Sequence, residues 1–189
     1  MDTFDYPKSK WIKNWGICND KALYLYDFTK NIKPKIIIET GTFEAQATYI
    51  MAKACNEANC KCTIYTIDNN QNLFENIMKK DWEKLDEIRN NNLNLIKDKF
   101  TNVKVIFSKE DSRITLKNLF NKNNIDKVDF FYQDSNDFHE IIKNEWDLVK
   151  NFLKKDSYAI INNLKSKGVL KFRDWIKNNN SNKIYSLKP

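Results

Sequence analysis

The 189-residue chain predicts a single α/β domain, a mostly parallel, doubly wound sheet with helices on both faces. Three observations predict it. Short runs rich in β-branched residues alternate strictly with amphipathic stretches of helical period, the pattern of strand–helix–strand units. Those runs are apolar along their whole length rather than at every second residue, as strands covered on both faces must be. Hydrophobic residues make up 41% of the chain, which at this length supplies one sizeable core and not two.

"DKALYLYDFTKNI" (20–32) has a helical period, and Pro34 separates it from the strand "KIIIET" (35–40). A helix over 44–58 follows, then the strand "CTIYTID" (62–68) and a long amphipathic stretch over 73–100. The strand "VKVIFS" (103–108) and the short helix "SRITLKNLFNK" (112–122) come next. The strand "KVDFFYQD" (127–134) leads to a helix over 137–153, the strand "SYAIIN" (157–162) and a helix over 169–178. The terminal "KIYSL" (183–187) reads as a sixth strand.

Composition narrows the function classes. No segment approaches the roughly 20 apolar residues of a membrane helix, and "MDTFDYPKSKWIKNW" lacks the apolar run of a signal peptide, so a soluble, cytoplasmic protein without a membrane partner is expected. Cys55, Cys60 and Cys62 are spaced C-x4-C-x-C, unlike common zinc patterns, and the chain holds one histidine; the cysteines read as reduced thiols. The net charge of +7 invites a nucleic-acid partner. Nearly all of that charge is lysine, and only Arg89, Arg113 and Arg173 offer the bidentate fork favoured for phosphates and bases. A solvated lysine surface is the favoured reading.

In an open α/β sheet, ligands bind beyond the carboxyl ends of the strands, near the switch in strand order. The first strand ends in "ETG", where Gly41 permits a sharp turn and a close approach and the following helix offers its N-terminus. The G-x-G-x-x-G of a dinucleotide fold is absent, so the loop suits a ligand without a pyrophosphate. Asp68 ends the second strand, where a carboxylate can accept both hydroxyls of a ribose.

These residues resemble the class I S-adenosylmethionine-dependent methyltransferases, a Rossmann-like family, over residues 20 to 176. "IIIETGTFEAQAT" is similar to the family's first motif, E-x-G-x-x-x-G, with Glu39 and Gly41 matching and Ala45 in the last glycine position. The resemblance implies that Glu39, Thr40, Gly41, Thr42 and Phe43 hold the methionine part of S-adenosyl-L-methionine. It implies that Asp68 with Asn69 binds the ribose side, that Asp111 and Ser112 lie at the adenine, and that Asp134 also borders the cofactor. "VDFFYQDSNDFHEIIKNEW" resembles the D-x-F-x-x-D-S-x-H-x-Y-E pattern of small-molecule O-methyltransferases, the cephalosporin-hydroxylase and catechol-methylating groups of the family 24 type. Asp129, Asp134, Ser135, Glu140 and Glu145 match, with Asp137 in the histidine position.

That likeness implies O-methylation of a small hydroxylated metabolite or sugar. RNA methylation, or a non-catalytic module that binds the cofactor, are the alternatives. In metal-dependent relatives the corresponding positions bind Mg²⁺; here they are Asp134, Asn162 and Asn163, one carboxylate with two amides. Capping of the next turn is the other reading of those asparagines. For the proton of the acceptor, the candidates are His139, the only histidine, and Asp134 or Asp137 if desolvated. Residues 1–19, with Tyr6, Trp11 and Trp15, are expected to cover the substrate pocket, and 20–189 to form the domain. The resemblance implies one strand more than this sequence spells out, so either the sequence is trimmed or the strand is absent; its absence would leave a sheet edge open to a second copy in a homodimer.

Overall fold

The computed structural model describes residues 4–9, 16–70, 82–122, 125–163 and 165–179. In chain order these form α1 (Asn19–Ile32), β1 (Ile36–Thr40), α2 (Gln46–Glu57), β2 (Cys62–Ile67), α3 (Trp82–Lys99), β3 (Val103–Ser108), α4 (Ser112–Lys122), β4 (Val128–Gln133), α5 (His139–Val149), β5 (Leu153–Ile161) and α6 (Lys167–Asn179). The expected sixth strand, residues 73–81, Trp11 and Trp15 lie outside the described residues.

All five strands are parallel, in the order β3-β2-β1-β4-β5. The order reverses between β1 and β4, which makes their carboxyl ends the switch point. Successive side chains of the central strands point to opposite faces. Ile37 and Phe130 pack with α1, α2 and α3, through residues such as Leu25, Ile50 and Ile96. Ile38 and Phe131 pack against Leu116 and Leu119 of α4 and Val149 of α5. The runs are apolar throughout because both faces are covered, and each fully buried Ile or Phe contributes about 1.5–3 kcal/mol. α6 seals α5 from outside, with Val169, Phe172 and Ile176 against Ile142.

Several boundaries move from the sequence expectation, α5 starting at His139 and α6 at Lys167 among them, and two of the shifts have a local cause. α2 begins at Gln46 because Phe43 (φ 47°) and Ala45 (φ 61°) are left-handed and cannot continue a helix. At the other, residues 153–156 join the sheet instead of prolonging α5, which ends in a 3₁₀ turn over Lys150–Phe152. A register irregularity between Val128 and Phe130 admits the extra length of β5. Ser157 fills it, its hydroxyl donating to Val128 O (2.6 Å) and accepting from Lys154 N (2.9 Å).

Candidate functional site

The sharp turn expected at Gly41 is present, with φ +91°. The close approach it permits is made by the chain itself: a Cβ on Gly41 would lie 2.3 Å from Asp134 O and 2.6 Å from Ser135 N, so the ends of β1 and β4 touch at this residue. Its N–H continues the ladder to Ile67 O (2.8 Å). The flanking threonines are buried. Thr40 donates to Glu145 (3.1 Å), and the Thr42 and Thr66 hydroxyls lie 2.6 Å apart.

Asp68, half-buried beyond β2, accepts the N–H of Phe43 through Oδ2 (2.7 Å) and the N–H of Asn70 through Oδ1 (2.8 Å). The second bond is an Asx turn, which the left-handed Asn70 (φ 61°) tolerates. Asp68 thereby ties the β1 loop to the β2 loop, and the next residue, Asn69, is half-buried. Each carboxylate oxygen keeps a further lone pair for a ligand hydroxyl.

Glu39 is fully buried in β1. Thr48 donates to its Oε2 (2.5 Å), while Oε1 is buried with no hydrogen-bond partner among the described residues. Its pKa is pushed up to about 8, first by burial and then by the negative charges of Asp134 and Asp68. Three acids thus converge at the carboxyl ends of β2, β1 and β4.

Asp134 follows β4, and its pKa is pushed up to about 7, chiefly by desolvation, with Asp137 adding to the rise and Asn162 and Lys21 opposing it. Asn162 bonds to Asp134, and its own N–H holds Gln133 O (2.9 Å). Asn163, left-handed at φ 61°, directs its amide to Asp137 (3.1 Å) and lies 3.5 Å from Asp134. The structure therefore gathers Asp134, Asp137, Asn162 and Asn163 in one group, although no cluster of three or more His, Cys, Asp or Glu among the described residues is arranged to hold a metal. The carboxylates, and the asparagines through their amide oxygens, are of the hard-oxygen kind Mg²⁺ takes, although Asn163 here turns its Nδ2 toward both carboxylates.

His139 opens α5 and lies against α6, its ring 6.3 Å from that of Phe172 and 6.5 Å from that of Trp175. Its side chain is 11% exposed, Nδ1 is buried without a hydrogen-bond partner among the described residues, and Nε2 is 3.8 Å from Glu140. The motif residue Asp129 lies at the opposite end of β4, accepting Lys35 N and Ile36 N (2.9 Å each). Of the aromatic residues near the strand ends, Phe130, Phe131 and Tyr132 are core, whereas Phe138 is 66% exposed.

Asp111 caps α4, accepting Arg113 N (2.9 Å) and pairing with its guanidinium, which holds the Asp111 pKa below the usual carboxylate range. The adjacent Ser112 donates to Glu145 Oε1 (2.5 Å). On the opposite flank, buried Gln46 pins residues near the N-terminus to the start of α2: its amide donates to Pro7 O (2.9 Å) and its carbonyl accepts Ile17 N (3.0 Å).

Two more buried residues join this network: Glu145, which matched the motif, and Arg89, which no motif marks. Glu145 reaches up from α5, and Arg89 of α3 bonds to Phe43 O (2.5 Å), Asn70 Oδ1 (2.5 Å) and Asp86 (3.0 Å). A signal for Arg89 existed: it is one of three arginines in a chain that otherwise uses lysine, where a buried planar fork is a reason for the exception.

No protein-family model and no curated protein matches the chain. Solved structures do. The O-methyltransferase TomG from Streptomyces achromogenes, in complex with SAM, aligns at TM-score 0.64 and 12% identity over 88% of this chain and 72% of its own. An O-methyltransferase from Bacillus cereus in complex with SAH gives 0.63 and 12%, over 88% and 72%. CalS11, a TDP-rhamnose 3′-O-methyltransferase, gives 0.58 and 13%, over 85% and 71%. At these identities the likeness is one of fold. With a parallel sheet covered on both faces and these neighbours, the chain carries the Rossmann-like fold of the S-adenosylmethionine-dependent methyltransferases.

Proposed function

We propose that the protein is an S-adenosylmethionine-dependent methyltransferase acting on a hydroxyl of a small metabolite or sugar. The observation that carries this reading is the fully buried Glu39 carboxylate, whose Oε1 finds no hydrogen-bond partner among the described residues, set between Asp68 and Asp134. Such a cluster of acids favours a cationic ligand, and S-adenosylmethionine brings both an ammonium and a sulfonium. Glu39 would take the ammonium, Asp68 the ribose hydroxyls, and the β3–α4 turn at Asp111 and Ser112 the adenine. The O-methyltransferase neighbours, one of them acting on a TDP-sugar, support the acceptor class.

Methyl transfer requires an acceptor oxygen aligned with the methyl group and relieved of its proton. Asp134, with its pKa near 7, is suited to take that proton, and Asp137 stands beside it. His139 faces α6, which leaves the role to the aspartates in this proposal. Alternatively Asp134, Asn162 and Asn163, with Asp137, would hold Mg²⁺, which when bound would acidify an acceptor hydroxyl and take over the part given above to the free Asp134 carboxylate. The segment docked by Gln46 beside the β1–α2 loop is assigned the role of substrate cover.

Calorimetric titration with S-adenosylhomocysteine tests the reading. Micromolar binding is expected, and Asp68→Ala should weaken it about 100-fold, the loss of two charge-assisted hydrogen bonds. A wild-type protein that gives neither heat nor a thermal shift sinks the proposal.

The metal part has its own test in pH. Protons compete with Mg²⁺ for Asp134, so affinity should rise with pH until the carboxyl is ionised. With a pKa near 7, Mg²⁺ should bind about tenfold more tightly at pH 8 than at pH 6, and Asp134→Asn should remove both the binding and the slope. Binding that is indifferent to both changes would place the metal elsewhere.

A further inference from the structure

Glu145 is fully buried, and its carboxylate accepts three hydroxyls: Ser112 (2.5 Å) and Ser135 (2.7 Å) on Oε1, and Thr40 (3.1 Å) on Oε2. The donors come from three different elements. Thr40 ends β1 directly before Gly41, Ser135 follows Asp134 beyond β4, and Ser112 opens α4 beside Asp111. We propose that Glu145 is a positioning residue for the cofactor pocket, its buried carboxylate fixing the β1, β3 and β4 loops against one another through the hydroxyls of Thr40, Ser112 and Ser135.

Energetics support a positioning role over packing. The carboxylate is held by neutral donors, the three hydroxyls and the Gln133 amide, with Arg113 acting on it only through its field, so lost hydration dominates and burial raises its pKa. An apolar side chain of similar volume would fill the same space without that penalty. What the carboxylate adds is geometry: one rigid acceptor, reached by three short donors, holds the start of α4 and the Ser135 turn to the end of β1, past the ladder bond from Asp134 N to Thr40 O.

The proposal rests on the methyltransferase reading, and its test keeps the two apart. S-adenosylhomocysteine affinity is measured for the wild type, Glu145→Leu, Glu145→Gln, Ser112→Ala and the Glu145→Leu/Ser112→Ala double variant. Glu145→Leu should lose at least about tenfold and Ser112→Ala about fivefold, and the double variant should bind no worse than Glu145→Leu alone, because both changes break the same link. Glu145→Gln keeps an acceptor oxygen for the two serines and should stay within about threefold of the wild type, a rescue that a requirement for net charge would not show.

A wild type that binds no S-adenosylhomocysteine overturns both readings. Wild-type binding together with unchanged affinity in folded Glu145→Leu, or losses that multiply in the double variant, overturns the positioning role alone. If Glu145→Leu does not fold, Ser135→Ala decides, since Ser112 also borders the adenine in the proposed site; unchanged affinity overturns the proposal, and a loss supports it.

Discussion

Gly41→Ala is expected to destabilise the protein by about 3 kcal/mol or more, the sum of a left-handed backbone penalty and a backbone clash. The clash is the larger part. A methyl group at this position meets Asp134 O at 2.3 Å and Asp134 C at 2.4 Å, and neither atom belongs to a flexible side chain that could turn aside. Relief requires the ends of β1 and β4 to separate, which would disturb the ladder bonds from Gly41 N to Ile67 O and from Asp134 N to Thr40 O. For a domain of this size the melting temperature should fall by about 6–12 °C. The control is Ala45→Gly, four residues on. Ala45 has φ 61° in the same loop, so glycine relieves strain there, and after the loss of one buried methyl the net gain should reach up to about 1 kcal/mol. Thermal unfolding of both variants checks the pair; a Gly41→Ala protein that melts with the wild type would mean that the strand ends are not in contact.

That pair also shows how far the sequence was legible. The alternation of apolar runs and helical periods led directly to the observed order of elements, because Ile37 and Ile38, or Phe130 and Phe131, must each face a helical layer on opposite sides. The position of Gly41 was legible as a place of close approach, but the partner was not: Asp134 is 93 residues away, and only the β1–β4 pairing brings it near. Asn162 and Asn163 were legible as companions of Asp134 through the motif, and the structure brings them together with Asp137. Glu145 and His139 lie in the same motif stretch, yet a helix sends them to different surroundings, one beneath the loops and one against α6. The start of β5 at Leu153 was hidden because "LKKDS" is polar enough to end a helix, and only pairing with β4 recruits it.

Arg89→Met should be the most damaging change outside the strand ends, with a loss of about 3 kcal/mol. Arg89 is wholly buried, stacks on the Phe107 ring at 5.0 Å, and places its three nitrogens on three partners from two loops and its own helix. Methionine preserves the stem and much of the volume, so the loss is mainly polar. Phe43 O and Asn70 Oδ1 each lose a donor, at about 1–3 kcal/mol for a buried group. Asp86 and Asp68, the latter 3.9 Å from the guanidinium, lose a counter-charge. Their side chains are 28% and 18% exposed, so water reclaims part of that loss and the full penalty of a broken buried pair is not reached. Arg89→Lys should recover little, because an ammonium cannot reach Phe43, Asn70 and Asp86 in one plane. The same network holds Asp68 against Phe43 N, so the variant should also weaken S-adenosylhomocysteine binding, and saturating ligand should restore only part of the lost melting temperature. A folded Arg89→Met protein with wild-type melting and wild-type affinity would show that Asp68 holds the two loops without the arginine.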